Sequence, residues 1–147
     1  TVHYAAGFGA TPITGYAYLM IYGWLSNPYI EYYIIENHAG SGYTPLSSPS
    51  TSYLGKFYSE GSIYDLGYST RNGVPNVPGV TVVTKITTVY AVRKDVRWGG
   101  YVDISGMFQA WRAFGQGGGP ASVLEWQILG CEAQGPSVYG KCIADIL

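Results

Sequence analysis

Two of the nine acidic side chains stand where acids are out of place. Glu31 lies within Tyr29-Ile30-Glu31-Tyr32-Tyr33-Ile34-Ile35-Glu36, a run of β-branched and aromatic residues. Glu132 closes Trp126-Gln127-Ile128-Leu129-Gly130-Cys131-Glu132. With the two-residue period of a strand, Glu31 shares a face with Tyr29 and Tyr33, and Glu132 with Gly130, Ile128 and Trp126. A carboxylate in mid-strand requires a wet groove or a partner. Two carboxyl groups facing one aromatic-lined groove form the constellation for glycoside hydrolysis. Taken singly, either glutamate is more commonly a solvent-facing strand residue, and sequence alone does not make the two strands neighbours. Other chemistries lack their residues. No Gly-rich phosphate loop and no Gly-x-Ser-x-Gly elbow occurs. His3 falls near a chain end and His38 in a loop, so neither suggests a general base. Two cysteines and two histidines without ligand spacing argue against zinc.

Composition narrows the field further. A chain of 147 residues is one domain's worth, read here as a single unit over 1–147. Charged residues are 12%, about half the usual share, and the net charge is −1, which leaves no footprint for nucleic acid. The longest apolar stretches, such as 17–22, are too short to cross a bilayer, and no basic-then-apolar leader is read at the start. Fifteen Tyr, 21 Gly and 8 Pro suit strands joined by tight turns. They also suit sugar binding, in which aromatic faces pack on pyranose rings while hydroxyl tips bond their edges. A Tyr-rich β protein with no ligand is the alternative.

The elements that must position the two acids read as follows. Residues 17–24 have strand length, Leu25-Ser26-Asn27-Pro28 is a turn, and 29–36 is the strongest strand. A loop spans 39–52, and 53–59 with 62–69 form a hairpin turned at Glu60-Gly61. After a breaker-rich segment, 71–79, a long β-branched strand covers 80–94, whole or bulged. One helix is expected at about 105–115, capped by Ser105, with Phe108, Ala110, Trp111 and Phe114 on a buried stripe. Residues 122–132 and 138–147 close the chain as two strands. Seven or so strands and one helix predict a mostly-β sandwich of curved sheets. If the last two strands form a hairpin around Gly135-Pro136-Ser137, Cys131 and Cys142 lie opposite one another, close enough for a disulfide. Such a bond fits an oxidising, extracellular setting; two buried free thiols are the alternative.

The stretch Tyr22-Gly23-Trp24-Leu25-Ser26-Asn27-Pro28-Tyr29-Ile30-Glu31-Tyr32-Tyr33-Ile34-Ile35-Glu36-Asn37 resembles the nucleophile strand of glycoside hydrolase family 11, the small endo-β-1,4-xylanases. The order of later features agrees: Thr70-Arg71, a Pro75-centred hairpin like that family's thumb, a strand ending Val92-Arg93, a helix with Phe108, Ala110 and Trp111, and Trp126-Gln127-Ile128 leading to Glu132. The resemblance implies a jelly roll of two curved antiparallel sheets with one helix, secreted, and a cleft that holds xylan or xylo-oligosaccharide without metal or organic cofactor. It places Glu31 on the nucleophile and Glu132 on the acid/base. Tyr22 and Tyr33 fall on cleft tyrosines, Arg71 on an arginine near the thumb, Trp126 where a cleft tyrosine is common, and Pro75 in the thumb. Tyr90 and Thr88 fall on the cleft floor.

Departures accompany the match. Thr88 replaces a cleft glutamine, and its shorter hydroxyl is expected to fall short of Glu31 or to reach it only through water. The thumb reads Pro75-Asn76-Val77, and Ala133-Gln134 follow Glu132. The family's N-terminal strands have no counterpart, which predicts a shortened domain whose exposed sheet edge could pair with a second chain. Two functions follow: a retaining xylanase-like hydrolase of doubtful efficiency, or a xylanase-derived binding protein with weak or no turnover.

Overall fold

The computed structural model describes residues 1–12, 15–40, 44–135 and 138–147. The alternation read in 29–36 is present: Ile30, Tyr32 and Ile34 point into the main core, while Glu31, Tyr33 and Ile35 line the opposite face. In chain order the strands are β1 (Val2–Pro12), β2 (Tyr16–Ser26), β3 (Ile30–Ala39), β4 (Ser52–Ser59), β5 (Ser62–Gly73), β6 (Thr84–Arg93), β7 (Gly99–Val102), β8 (Val123–Gln134) and β9 (Val138–Ile146). Helix α1 (Ile104–Ala113) precedes β8. Two sheets result, one of six strands in the order β4-β5-β6-β3-β2-β8 and one of three in the order β7-β1-β9. All pairs are antiparallel except β3 with β6.

The core lies between the sheets. Leu19 and Ile21 of β2, Leu66 of β5 and Val89 of β6 meet Tyr4 of β1 and Val102 of β7 there, with Met107 and Trp111 of α1 sealing one side. Such burial is the main favourable term in the fold.

Several local expectations need correction. Two strands beyond the expected seven form. β1 escapes a β-branched search because Ala5, Gly7 and Gly9 alternate with inward Tyr4, Ala6 and Phe8. The strand expected from 80 starts only at Thr84, and Val82 and Val83 are exposed. Asp103, not Ser105, caps α1, its carboxylate accepting from the Gly106 amide at 3.0 Å. The loop at 39–52 contains a 3-10 turn at Pro45–Ser47, and its residues 41–43 lie outside the described residues. Glu60 and Gly61 turn the β4–β5 hairpin as expected, both at positive φ.

The last two strands give the largest correction. Cys131 and Cys142 are joined, with Cα atoms 6.4 Å apart, but not across a hairpin. β8 pairs with β2 in one sheet and β9 with β1 in the other. The chain changes sheets after Gln134, so the disulfide staples the two layers. Pro136 and Ser137 of the expected turn lie outside the described residues.

One buried charge ties these layers together. Between Leu19 and Met20 the β2–β3 register slips: Leu19 pairs with Asn37 and Met20 with Ile35, which leaves Glu36 as the extra residue of a bulge. The Glu36 carboxylate is fully buried. It accepts from the hydroxyl of Tyr4 on β1 at 3.0 Å and from that of Tyr64 on β5, and it pairs with the Arg97 guanidinium. Arg93 of β6 donates to Tyr64 at 3.1 Å. Removing one partner from a buried pair strands the other charge, which costs about 3–5 kcal/mol. Glu36→Gln is therefore expected to lose stability of that order in urea unfolding at unchanged m; a loss below about 1 kcal/mol would contradict the reading.

Candidate active site

Strand register assembles the site on the face of the six-stranded sheet turned away from the main core. One row crosses five strands: Ser69 of β5, Thr88 of β6, Glu31 of β3, Trp24 of β2 and Trp126 of β8. The next holds Tyr90, Tyr33, Tyr22 and Ile128. Their rings make a continuous aromatic floor: Tyr33 lies 5.5 Å from Tyr90 and 4.6 Å from Tyr22, and Tyr22 5.3 Å from Trp126.

Glu31 is 8% exposed and accepts three hydrogen bonds. Tyr22 donates at 2.6 Å, Thr88 at 3.0 Å and Arg71 at 3.1 Å. Trp24 Nε1 donates in turn to the Tyr22 oxygen at 2.9 Å, so Tyr22 relays a donor to the carboxylate. The direct Thr88 bond corrects the expectation that this hydroxyl would fall short. The parallel β3–β6 pairing sets Thr88 directly beside Glu31, where even a short side chain reaches.

The segment between β5 and β6 folds over this row. Pro75 is buried, and Val77 packs with Trp24 and Ile86. Trp126 Nε1, on the far edge of the sheet, donates to the Asn76 carbonyl at 2.7 Å.

Glu132 stands elsewhere on the same face. It is opposite Tyr18, six β2 residues from Trp24, which is a run of about 20 Å in a straight strand. The bulge at Glu36 lies alongside that stretch, and bulges bend and twist the strands that carry them. Tyr16 Oη is 2.8 Å from Glu132 and 2.7 Å from Gln134; its single proton serves one at a time. A groove of about 140 Å³ opens there, lined by Glu132, Tyr16, Tyr18, Tyr33 and Tyr90 with Pro45 and Ser48. Tyr33 lies in the field of both carboxylates: burial, then Glu31, then Glu132 push its phenol well above the usual value. Burial and the bond to Glu31 raise Tyr22 likewise.

Sequence reasoning named Glu31, Arg71, Thr88, Tyr22, Tyr33, Tyr90, Trp126 and Pro75 in this region, and the structure gathers them around Glu31. It missed Tyr16, Tyr18, Trp24 and Asn76. The signal was the alternation Tyr16, Tyr18, Tyr22, Trp24 on one face of β2. His3 stacks on Tyr101 at 4.1 Å, and His38 pairs in register with Tyr18, its pKa lowered by burial. Among the described residues no cluster of three or more His, Cys, Asp or Glu could hold a metal.

A two-layered jelly roll with an aromatic, carboxylate-bearing groove defines the class of protein. The chain belongs to glycosyl hydrolases family 11, whose profile it matches over residues 1–142. It is 35% identical to endo-1,4-beta-xylanase 2 of Humicola insolens over 90% of this chain and 52% of that one. It is 41% identical to an endo-1,4-beta-xylanase of Byssochlamys spectabilis over 90% and 64% of the two chains. The chain thus spans about half to two thirds of the length of these relatives. Its fold matches the family 11 xylanase from Neocallimastix patriciarum with a TM-score of 0.74 at 24% identity, over 99% of this chain and 62% of that one.

The raised phenols carry a pH signature. A group whose folded pKa lies above its unfolded value adds stability that is fully present below the unfolded value, near pH 10, and lost as pH rises through the folded one. Tyr4, Tyr22, Tyr32, Tyr33 and Tyr64 are all raised, with burial the largest cause. An ultraviolet titration should show only part of the 15 tyrosines ionising near pH 10, the rest following in one cooperative step with alkaline unfolding. Ionisation of all of them near pH 10 in the folded protein would contradict this.

Proposed function

We infer that residues 1–147 act as one secreted domain that hydrolyses β-1,4-xylan with retention of anomeric configuration. The observation that carries the reading is Glu31, held by Tyr22, Thr88 and Arg71 beside an aromatic floor. Those three donors fix the carboxylate's orientation, as a nucleophile requires. Glu31 attacks the anomeric carbon while Glu132 gives its proton to the departing glycosidic oxygen, leaving a glycosyl-enzyme. Glu132 then takes a proton from water as that water displaces Glu31, and both carboxyl groups return to their starting states. Tyr33 and Tyr90 floor the groove, and Trp126 with Pro75 closes its Glu31 end. The relatives' names support xylan as the substrate, and the disulfide supports an oxidising, extracellular setting.

The burial of Glu31 under the segment at 74–79 favours a second reading, a carbohydrate-binding protein with little turnover. Reducing-sugar release from xylan separates the two. The native protein should exceed Glu31→Gln and Glu132→Gln, with proton NMR showing the β-anomer first. Thr88→Val should be about ten- to a hundredfold slower, for a lost charge-assisted hydrogen bond of about 1.5–3 kcal/mol. Native release no higher than Glu31→Gln, with xylo-oligosaccharides still bound, would replace hydrolysis by binding.

A further inference from the structure

Glu132 is held at one oxygen. Its Oε1 takes the Tyr16 hydroxyl at 2.8 Å, and its Oε2 takes no hydrogen bond from a side chain or backbone group among the described residues. The last torsion of a glutamate side chain is soft, so a single bond of this kind decides how the carboxyl plane is turned.

Tyr16 is itself well fixed. It stands opposite Gln134 in the β2–β8 register, two residues before Tyr18, which stands opposite Glu132. Period two puts Tyr16 and Tyr18 on one face of β2. Their rings stack at 4.4 Å with planes 15° apart, and Tyr18 is 2% exposed, so the Tyr16 ring rests on a buried wall. From there its hydroxyl reaches diagonally across the strand pair to Glu132, with the Gln134 side-chain oxygen 2.7 Å away as a second acceptor. Tyr16, Tyr18 and Glu132 line the same groove.

We propose, on the hydrolysis reading of Glu132, that Tyr16 is its positioning residue: the hydroxyl pins Oε1 and leaves Oε2 to carry the proton toward the groove. Glu132 must give a proton in the first half of that reaction and take one in the second, each time with the same oxygen aimed at the sugar. Tyr16 keeps its own proton throughout. It donates to Oε1 when that atom is the carbonyl oxygen of the acid, and equally when it is one end of the carboxylate. If the acid proton sits on Oε1 instead, Oε1 donates to Tyr16 and the Tyr16 hydroxyl turns to Gln134. That arrangement is satisfied but unproductive.

Tyr16→Phe keeps the ring and its stack and removes only the hydroxyl, and two substrates separate its effects. The leaving group of xylan is a sugar hydroxyl, which needs the acid; that of a dinitrophenyl xylobioside is a stable phenolate, which does not. On xylan, kcat/KM should fall about tenfold, a part of the roughly hundred- to ten-thousandfold that acid–base catalysis supplies. On the dinitrophenyl substrate kcat/KM should hold while kcat and KM fall together, because Glu132 must still activate the water that frees the enzyme. On a Glu132→Gln background, Tyr16→Phe should lower that kcat no further. Equal losses of kcat/KM on both substrates, no loss on xylan, or a further loss on Glu132→Gln would overturn the role of Tyr16 and leave hydrolysis standing. A native protein inert toward both substrates would end the hydrolysis reading, and the role of Tyr16 with it.

Discussion

The buried Glu36 carboxylate is the interaction on which the rest of the structure depends. Period two puts it on the same face of β3 as Ile30, Tyr32 and Ile34, toward the space between the sheets, where Tyr4, Tyr64 and Arg97 converge on it. Those partners come from β1, from β5 and from the segment leading into β7, so one charge fixes elements of both layers. Leaving it unpaired there would cost several kcal/mol, a large share of the 5–15 kcal/mol typical of a whole domain. The arrangement therefore specifies one alignment of the layers and penalises others.

The β2–β3 register slip shapes the groove. On the Glu31 side β2 and β3 remain in regular register, which keeps Trp24, Glu31 and Thr88 in one row and brings three donors onto one carboxylate. Past the bulge lie Tyr18 and Glu132. The two acids belong to different rows of one sheet, and Tyr33 between them feels both. Any chemistry that uses both acids depends on how sharply β2 bends between Tyr18 and Trp24.

The strong strands, the β4–β5 hairpin and the face shared by Glu31 with Tyr33 were legible in the sequence because their signals are local: β-branched and aromatic density, period two, and a Glu-Gly turn. β1 was not, because its outward positions are Ala and Gly and only its inward aromatics alternate. The partner of β9 was not either. Adjacent strands in sequence favour a hairpin, and nothing local announces that the chain will change sheets and leave its cysteines to staple them. The reach of Thr88 to Glu31 depends on the parallel register of β3 with β6, a non-local fact that side-chain length alone cannot supply.

Covalent trapping tests the central claim most directly, that Glu31 is the residue that forms a bond to sugar. A 2-deoxy-2-fluoro xylobioside with a good leaving group slows hydrolysis of the glycosyl-enzyme, and peptide mapping by mass spectrometry locates the adduct. The account predicts one xylobiosyl group per chain on the peptide containing Glu31, absent from Glu31→Gln. An adduct on another carboxylate, or continued hydrolysis of xylan by a protein with no adduct at Glu31, would contradict it.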